Sequence, residues 1–225
     1  MKILAVDTVT KSCSVAIIDA GSLSAELTTL RDQTHSKHLM ELIHKGLGMS
    51  GISAAELDGL AVTIGPGSFT GLRIGVSTIK GLAHALEKPV VGISSLDVLA
   101  WQCADRSYLI CPLLDARKGE VYSATYRYSD DSLTPTSPEK ASAPETAIQK
   151  IKEPCVFIGS GAQLYRRNIS TQLGDLAHFA PKSQNIIRAS SVAFLIMERF
   201  ETHDTVAVAD LVPHYIRKSD AELNF

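Results

Sequence analysis

The sequence predicts an α/β protein made of two similar lobes, and two repeated features support this prediction. Each half begins with an apolar β-hairpin whose first strand ends in an aspartate, Asp7 in "KILAVD" and Asp115 in "YLICPLLD". Each half then has an apolar strand, a G-x-G turn and the start of a helix, as in "LAVTIGPGSF" and "CVFIGSGA". The same succession, found twice in one chain, indicates a duplicated unit.

We place the boundary between the lobes after residue 104, which gives a first domain at 1–104 and a second at 105–225. A chain of 225 residues with 45 % hydrophobic content is long enough to bury a core as one large domain or two small ones. The C-terminal tail, which contains "PHYIRKSDAE", is a candidate to pack back on the first domain.

The composition excludes several classes of protein. Lys and Arg number 22 against 24 Asp and Glu, so the net charge of −2 lacks the broad positive field of a nucleic-acid binder. If the protein acts on RNA, we therefore expect it to do so through a partner. The four cysteines are scattered without a C-x-x-C pair, and no apolar run approaches the roughly 18 residues of a membrane span. We expect a reduced, cytoplasmic protein that does not bind membranes.

Apolar runs rich in β-branched residues mark strands, and apolar residues recurring at helical spacing mark helices. In the first lobe they predict strands at 2–7, 13–18 and 23–30, a helix carrying apolar residues from Leu39 to Leu47, a strand at 57–65, a helix from about 70 to 87, a strand at 89–94 and a helix through Trp101. In the second lobe the returning strand of the hairpin is "EVYSATYRY". The stretch 130–144 is rich in Pro, Ser and charge and predicts an exposed connector.

The stretch "GPGSFTGLRIG" at 65–75 is a candidate loop motif. Glycines let backbone amides approach an anion, and a helix N-terminus supplies about half a positive charge, so a phosphate loop is one explanation. Thr70 stands where phosphate fingerprints need glycine and no lysine follows, which favours a tight turn capped by Ser68 or Thr70. Both explanations use the same residues: Gly65, Pro66, Gly67, Ser68, Phe69, Thr70 and Arg73.

The helix after this loop carries a stripe of small residues. Gly71, Gly75, Thr78, Gly81 (or Leu82 beside it) and Ala85 recur at helical spacing on one face. Each glycine inside a helix costs about 1 kcal/mol relative to alanine, so this stripe indicates a close approach by another element. That element is either a neighbour in the same chain or a partner subunit.

Some titratable residues suggest catalysis or metal binding. Asp7 and Asp115 lie where a magnesium-nucleotide enzyme holds carboxylates, but an aspartate at a strand end also closes turns by bonding backbone amides. For Asp115 the following "ARKG" favours the turn. His35, His38 and Glu41 are poorly spaced for a metal, and we predict no metal site there.

Six stretches of the sequence carry a resemblance to a known family. They are "ILAVDTVTKSCSVAI", "HSKHLMELI", "GLAVTIGPGSFTGLRIGVSTIKGLA", "PVVGISSLDVLA", "LLDARKGEVY" and "PHYIRKSDAE". Together they resemble the TsaB family, also called YeaZ, of bacterial tRNA-modification proteins, over almost the whole chain. The resemblance implies a two-lobed fold of the actin, sugar-kinase and Hsp70 type (ASKHA), with a ribonuclease-H-like domain in each lobe.

The resemblance also implies a role as a non-catalytic scaffold rather than an enzyme. TsaB-like proteins pair with a TsaD-like catalytic subunit and, with a TsaE-like ATPase, support transfer of a threonylcarbamoyl group to tRNA. The group is attached to N6 of adenosine 37 in tRNAs that read codons beginning with A. Contact with tRNA is then indirect, through the complex.

The pairing surface implied by the resemblance is built from the two helices around 36–48 and 70–86, and in the family the same surface forms homodimers. The predicted interface residues are Leu39, Met40, Ile43, Leu47, Gly71, Leu72, Gly75, Val76, Thr78, Ile79 and Leu82.

Departures from active relatives argue against catalysis by this chain alone. The two metal-binding histidines of the catalytic family lie four residues apart, whereas His35 and His38 lie three apart, so no metal or other cofactor is expected. Val9 and Arg117 stand near where nucleotide-binding relatives have glycine and Ser or Thr. The vestigial nucleotide-site positions are Asp7, Asp115, Gly159 and Gly161. Two alternatives remain, an ATP-dependent phosphotransferase of the sugar or acetate kinase type and a glycoprotease-like metallopeptidase.

Overall fold

A computed structural model describes residues 1–30, 38–103, 107–130 and 132–217. The chain forms two compact units, the first from Met1–Ser95 with Ile187–His214 and the second from Leu96–Ile186 with the residues from Tyr215 onward. The predicted division after residue 104 therefore differs from the observed one. The boundary lies earlier, and the chain returns to the first unit at Ile187.

The first unit contains a five-stranded sheet in the order β3-β2-β1-β4-β5. Its strands are β1 Lys2–Asp7, β2 Ser12–Asp19, β3 Ser22–Leu30, β4 Gly59–Gly65 and β5 Val90–Ser94. The pairs β1–β2 and β2–β3 are antiparallel, whereas β4 pairs parallel with β1 and β5 pairs parallel with β4. The predicted hairpin, the third strand and the two later strands are confirmed.

Helices cover both faces of this sheet. They are α1 Leu39–Ser50, α2 Phe69–Leu86, α7 Ala189–Leu195 and α8 Met197–Glu201. Alternate residues of the strands, such as Leu4 and Val15, form one core with the buried faces of α1 and α2. The intervening residues face the other way, where the hydroxyl of Ser14 accepts a hydrogen bond from the backbone amide of Ala189 at 2.9 Å. Because α7 packs on β1 and β2, the segment from Ile187 belongs to the first unit.

The second unit contains a seven-stranded sheet. Its main order is β10-β7-β6-β11-β12, with β8 beside β6 and β9 beside β8. The strands are β6 Leu109–Arg117, β7 Glu120–Ser123, β8 Tyr126–Ser129, β9 Ser132–Pro135, β10 Lys140–Ser142, β11 Cys155–Ile158 and β12 Ala177–Phe179. The helices are α3 Ser95–Trp101, whose first residue belongs to the first unit, α4 Pro144–Ile148, α5 Ser160–Leu164 and α6 Arg166–Leu173.

The two sheets share one plan, which confirms the predicted duplication. In each, the central strand (β1 or β6) forms an antiparallel hairpin with the next strand and is parallel to the strand of the glycine joint (β4 or β11). A further parallel strand follows in both.

Two details of the second unit differ from the prediction. The segment "EVYSATYRY" is not one strand, because β7 pairs with the end of β6 while β8 pairs with it at Ile110. The predicted connector at 130–144 contributes β9 and β10, which pair with β8 and β7. In the described part of the chain, no helix is long and apolar enough to cross a membrane.

Candidate functional site

The glycine loop at 65–70 is a tight strand-to-helix turn. Gly65 adopts φ 119°, and its peptide bond to Pro66 is cis. Ser68 is the N-cap of α2, and its hydroxyl accepts from the amide of Gly71 at 3.3 Å. The amide of Ser68 donates to the carbonyl of Val9 at 2.7 Å. The prediction that Ser68 or Thr70 caps the helix is confirmed for Ser68.

The glycines of this loop make room for the protein's own backbone. A Cβ on Gly65 would lie 2.6 Å from the carbonyl oxygen of His214, and one on Gly67 would lie 2.5 Å from that of Val9. Real Cβ atoms do not approach other atoms so closely, so both positions need glycine for packing. One turn into the helix, the Arg73 guanidinium lies 4.0 Å from the centre of the Phe69 ring.

The first half of the small-residue stripe on α2 is covered by the same chain. Thr8, in the turn after β1, donates from its hydroxyl to the carbonyl of Gly71 at 2.7 Å. A Cβ on Gly71 would overlap the carbonyl of Thr8, and a Cβ on Gly75 would overlap the Thr8 hydroxyl. The element that approaches these two glycines is therefore the β1–β2 turn, not a partner subunit.

This corrects a large part of the predicted interface. The interface residues buried inside the first unit are Leu39, Ile43, Gly71, Leu72, Gly75, Val76 and Ile79. Leu39, Ile43, Val76 and Ile79 belong to the core that the helices form with the sheet, and Thr8 covers Gly71 and Gly75, so these residues offer a partner little surface. Helical periodicity identified which faces are apolar but could not tell which apolar face the sheet covers.

The second half of the stripe is open. Gly81 and Ala85 are exposed, Thr78 and Leu82 are half-exposed, and a Cβ on Gly81 would meet nothing within 4 Å. On α1, Met40 is 50 % exposed, Leu47 is half-exposed, and the space over Gly48 is also empty. We call these residues the open helix surface: Met40, Leu47, Gly48, Thr78, Gly81, Leu82 and Ala85. The sequence prediction missed Gly48, although it lies on the same face of α1 as Met40.

The vestigial nucleotide positions of the second unit also bond within their own unit. The backbone amide of Gly159 donates to Asn185 Oδ1 at 2.6 Å, and that of Asp115 donates to Ser160 Oγ at 3.1 Å. Asp115 Oδ1 accepts from the amide of Arg117 at 2.8 Å, which is the turn-closing role that the sequence favoured. A Cβ on Gly159 would lie 2.6 Å from a backbone carbonyl.

A phosphate cradle needs amides that point into open space. In the first unit the amides of Ser68 and Gly71 are bonded to the chain itself, and in the second unit those of Asp115 and Gly159 are as well. Asp7 has no exposed surface, and one of its carboxylate oxygens accepts from the Thr63 hydroxyl at 2.7 Å. The amides of Ser68, Gly71, Asp115 and Gly159 are therefore not available to a nucleotide phosphate.

The candidate metal residues are only partly described. His38 Nδ1 lies 3.7 Å from Glu41 Oε2 on the first turn of α1, and His35 lies outside the described residues. Among the residues with described positions, no three His, Cys, Asp or Glu side chains are grouped as metal ligands would be.

Comparisons with known proteins agree with this geometry. The family model described as "TsaD: tRNA N6-adenosine threonylcarbamoyltransferase" matches residues 29–225. A relative from Bacillus subtilis, named tRNA threonylcarbamoyladenosine biosynthesis protein TsaB, is 33 % identical over 99 % of this chain and 96 % of its own length.

Solved structures show the same fold. YeaZ from Pseudomonas aeruginosa matches 95 % of this chain and 99 % of its own with a TM-score of 0.82 at 24 % identity. The activator of 2-hydroxyisocaproyl-CoA dehydratase from Clostridium difficile, solved with bound ADPNP, matches 91 % of this chain and 97 % of its own with a TM-score of 0.53 at 9 % identity.

The duplicated sheets and these neighbours define the class of the protein as an actin-like α/β protein of the ASKHA fold, which confirms the predicted fold class. Within that class, the chain belongs to the TsaB family, also called YeaZ. The resemblance inferred from the sequence motifs is thereby confirmed.

Proposed function

We propose that this chain is a non-catalytic scaffold subunit in the synthesis of threonylcarbamoyladenosine in tRNA. The observation that carries the proposal is the state of the two glycine loops, in which the amides of Ser68, Gly71 and Gly159 are bonded to the protein's own backbone and side chains. A chain that uses these amides for its own packing retains the fold of a nucleotide enzyme but has fewer donors to offer a phosphate. The names of its relatives supply the pathway.

The phosphotransferase and metallopeptidase alternatives receive no support from the comparisons. The relatives are named for threonylcarbamoyladenosine biosynthesis, not for phosphoryl transfer or peptide hydrolysis. A kinase would also need Asp7 to reach magnesium and substrate, and Asp7 is fully buried.

The proposed partner is a TsaD-like catalytic subunit, which binds the open helix surface. Small residues let a partner helix approach closely, and the empty space over Gly48 and Gly81 leaves this approach available. The apolar groups of Met40 and Leu82 supply the area to be buried on association. A second copy of the chain is the other proposed occupant of this surface. A TsaE-like ATPase is the third proposed partner, and tRNA is bound only through the complex.

Reconstitution tests the function. Purified catalytic subunit, ATPase, tRNA and an activated threonylcarbamoyl donor are assayed for threonylcarbamoyl transfer with and without this chain. We expect transfer to depend on the chain, and the chain alone to show no transfer. Transfer that proceeds at the same rate without it would overturn the proposal.

A surface variant tests the partner site. Gly81→Arg places a long charged side chain where a Cβ meets nothing, so the unit should fold while association with the catalytic subunit is lost. The matched control is Ser170→Arg, on the exposed side of α6 in the second unit. Sedimentation of each variant with the catalytic subunit measures association. If Gly81→Arg binds as well as the control, the open helix surface is not the interface.

A further inference from the structure

A buried carboxyl group ends the central strand of the first unit. Asp7 is 0 % exposed, and its Oδ1 accepts from the hydroxyl of Thr63 at 2.7 Å. The backbone amide of Val9 provides a second favourable interaction. Its Oδ2 is enclosed and has no hydrogen-bond partner. A charged carboxylate in this position would be poorly solvated, since a buried ion is costly unless it is paired.

The elements around Asp7 provide no balancing positive charge among the described residues. On β2 the neighbouring groups are Ser14, opposite Asp7 across the hairpin, and Cys13, which is a neutral thiol at ordinary pH. Burial, with a smaller effect of Asp7 itself, raises the pKa of Cys13 to about 12. On β4 the neighbour is the uncharged Thr63.

Among the described residues of the helices packed on β1, none is a cation paired with Asp7. The buried polar residues of α7 are the uncharged Ser190 and Ser191, and Arg188 just before this helix is bonded to Glu26. On α2, which also contacts β1, Arg73 is exposed and lies over the ring of Phe69. Burial raises the pKa of Asp7 to about 7, although the hydrogen bonds from Thr63 and Val9 oppose the rise.

We propose that Asp7 binds a proton in the folded protein and acts as a pH-dependent stability switch for the first unit. This holds whether or not the chain is a scaffold subunit, since it concerns the stability of the unit alone. The ordinary pKa of an aspartate is 3.8, so between that value and about 7 the folded state holds a proton that the unfolded chain has lost. The contribution of Asp7 is therefore most favourable at acidic pH and declines as the pH rises to neutrality.

The ionised carboxylate also affects a specific contact. Thr8 follows Asp7 directly and bonds the carbonyl of Gly71 at the start of α2. Loss of the Asp7 proton places a charge beneath this turn, so the turn and the first part of α2 should be the segments that loosen first as the pH rises.

The test compares the full chain with its Asp7→Asn variant. Asparagine keeps the shape and the acceptor for Thr63 but cannot ionise. Urea unfolding is measured from about pH 5 to about pH 8. We expect the wild-type midpoint to fall relative to the variant across this range. The difference of about three units between the folded and unfolded pKa values of Asp7 corresponds to about a thousandfold change in the unfolding equilibrium constant, of which about a hundredfold falls between pH 5 and pH 8.

The matched control is Asp19→Asn, at the end of β2 beside the other end of β1, where the side chain is partly exposed. This variant should keep the pH profile of the wild type. A second measurement needs no variant: the carboxyl carbon of Asp7 is followed by NMR in the wild type as the pH is changed. Titration near neutrality supports the proposal. Titration near the value of a free aspartate, or an Asp7→Asn variant with the wild-type pH profile, overturns it.

Discussion

Two glycines on α2 should respond in opposite ways to the same substitution. Gly75→Ala adds a Cβ that overlaps the hydroxyl of Thr8, and it would also lie 3.4 Å from a methyl group of Val62. Gly81→Ala, fewer than two turns further along, adds a Cβ that meets nothing within 4 Å. We expect Gly75→Ala to destabilise the protein and Gly81→Ala to stabilise it.

The magnitudes follow from the contacts. Alanine gains about 1 kcal/mol over glycine inside a helix, and Gly81→Ala should show most of this gain. At position 75 the same gain is offset by overpacking of about 1–3 kcal/mol. Rotation of Thr8 does not relieve the overlap cheaply, because it breaks the bond to the Gly71 carbonyl, worth about 1 kcal/mol, and leaves a buried hydroxyl unsatisfied. The two variants should therefore differ by about 1–3 kcal/mol.

Urea unfolding followed by circular dichroism measures both variants against the wild type. The two substitutions are chemically identical and lie in one helix, so each controls for the propensity effect of the other. If Gly75→Ala is as stable as Gly81→Ala, Thr8 does not cover the stripe of small residues, and Gly75 is exposed to a partner. Addition of Thr8→Ser should not rescue Gly75→Ala, because the hydroxyl that is overlapped remains.

Two further predictions concern side-chain hydrogen bonds. Glu26 accepts from Arg188 and from the amide and hydroxyl of Ser190, so Glu26→Ala should cost about 2 kcal/mol in urea unfolding at neutral pH. Burial alone would raise the pKa of Glu26, but these hydrogen bonds outweigh burial and lower the pKa below the ordinary 4.5. The stabilisation of the fold by Glu26 should therefore be complete above pH 4.5 and be lost as the pH falls below it. A variant as stable as the wild type at neutral pH would contradict this. Tyr126 donates to Asp97 at 2.8 Å, and Tyr126→Phe should lower the free energy of unfolding by about 1 kcal/mol; a more stable variant would show that the bond contributes nothing.

The local parts of the fold were predictable from the sequence because their signals are local. Alternation and apolar runs are properties of consecutive residues, and they located the strands of the first unit and the helix that begins near Ser68. The cap was predictable for the same reason, since a serine before a helix bonds an amide three residues ahead.

The coverage of the glycine stripe was not predictable in this way. The bond between Thr8 and Gly71 joins residues 63 positions apart, and nothing in the spacing of the helix marks where it is covered. The return of the chain to the first unit depends on a bond between Ser14 and Ala189, 175 positions apart. Periodicity therefore gave the small face of α2 correctly but left open which neighbour covers its first half.

The glycine loops show why a glycine pattern alone does not distinguish a phosphate site from a packing joint. In both cases glycine is required because another group approaches the backbone more closely than a Cβ allows. Gly67 admits the carbonyl of Val9 and Gly159 admits that of Leu113, where an enzyme would admit a phosphate oxygen. The difference lies in the amides, since an anion needs donors that no protein acceptor has taken. The amides of Ser68 and Gly159 both have acceptors within their own unit, so these two donors stabilise the joints between strand and helix and are not available to an anion.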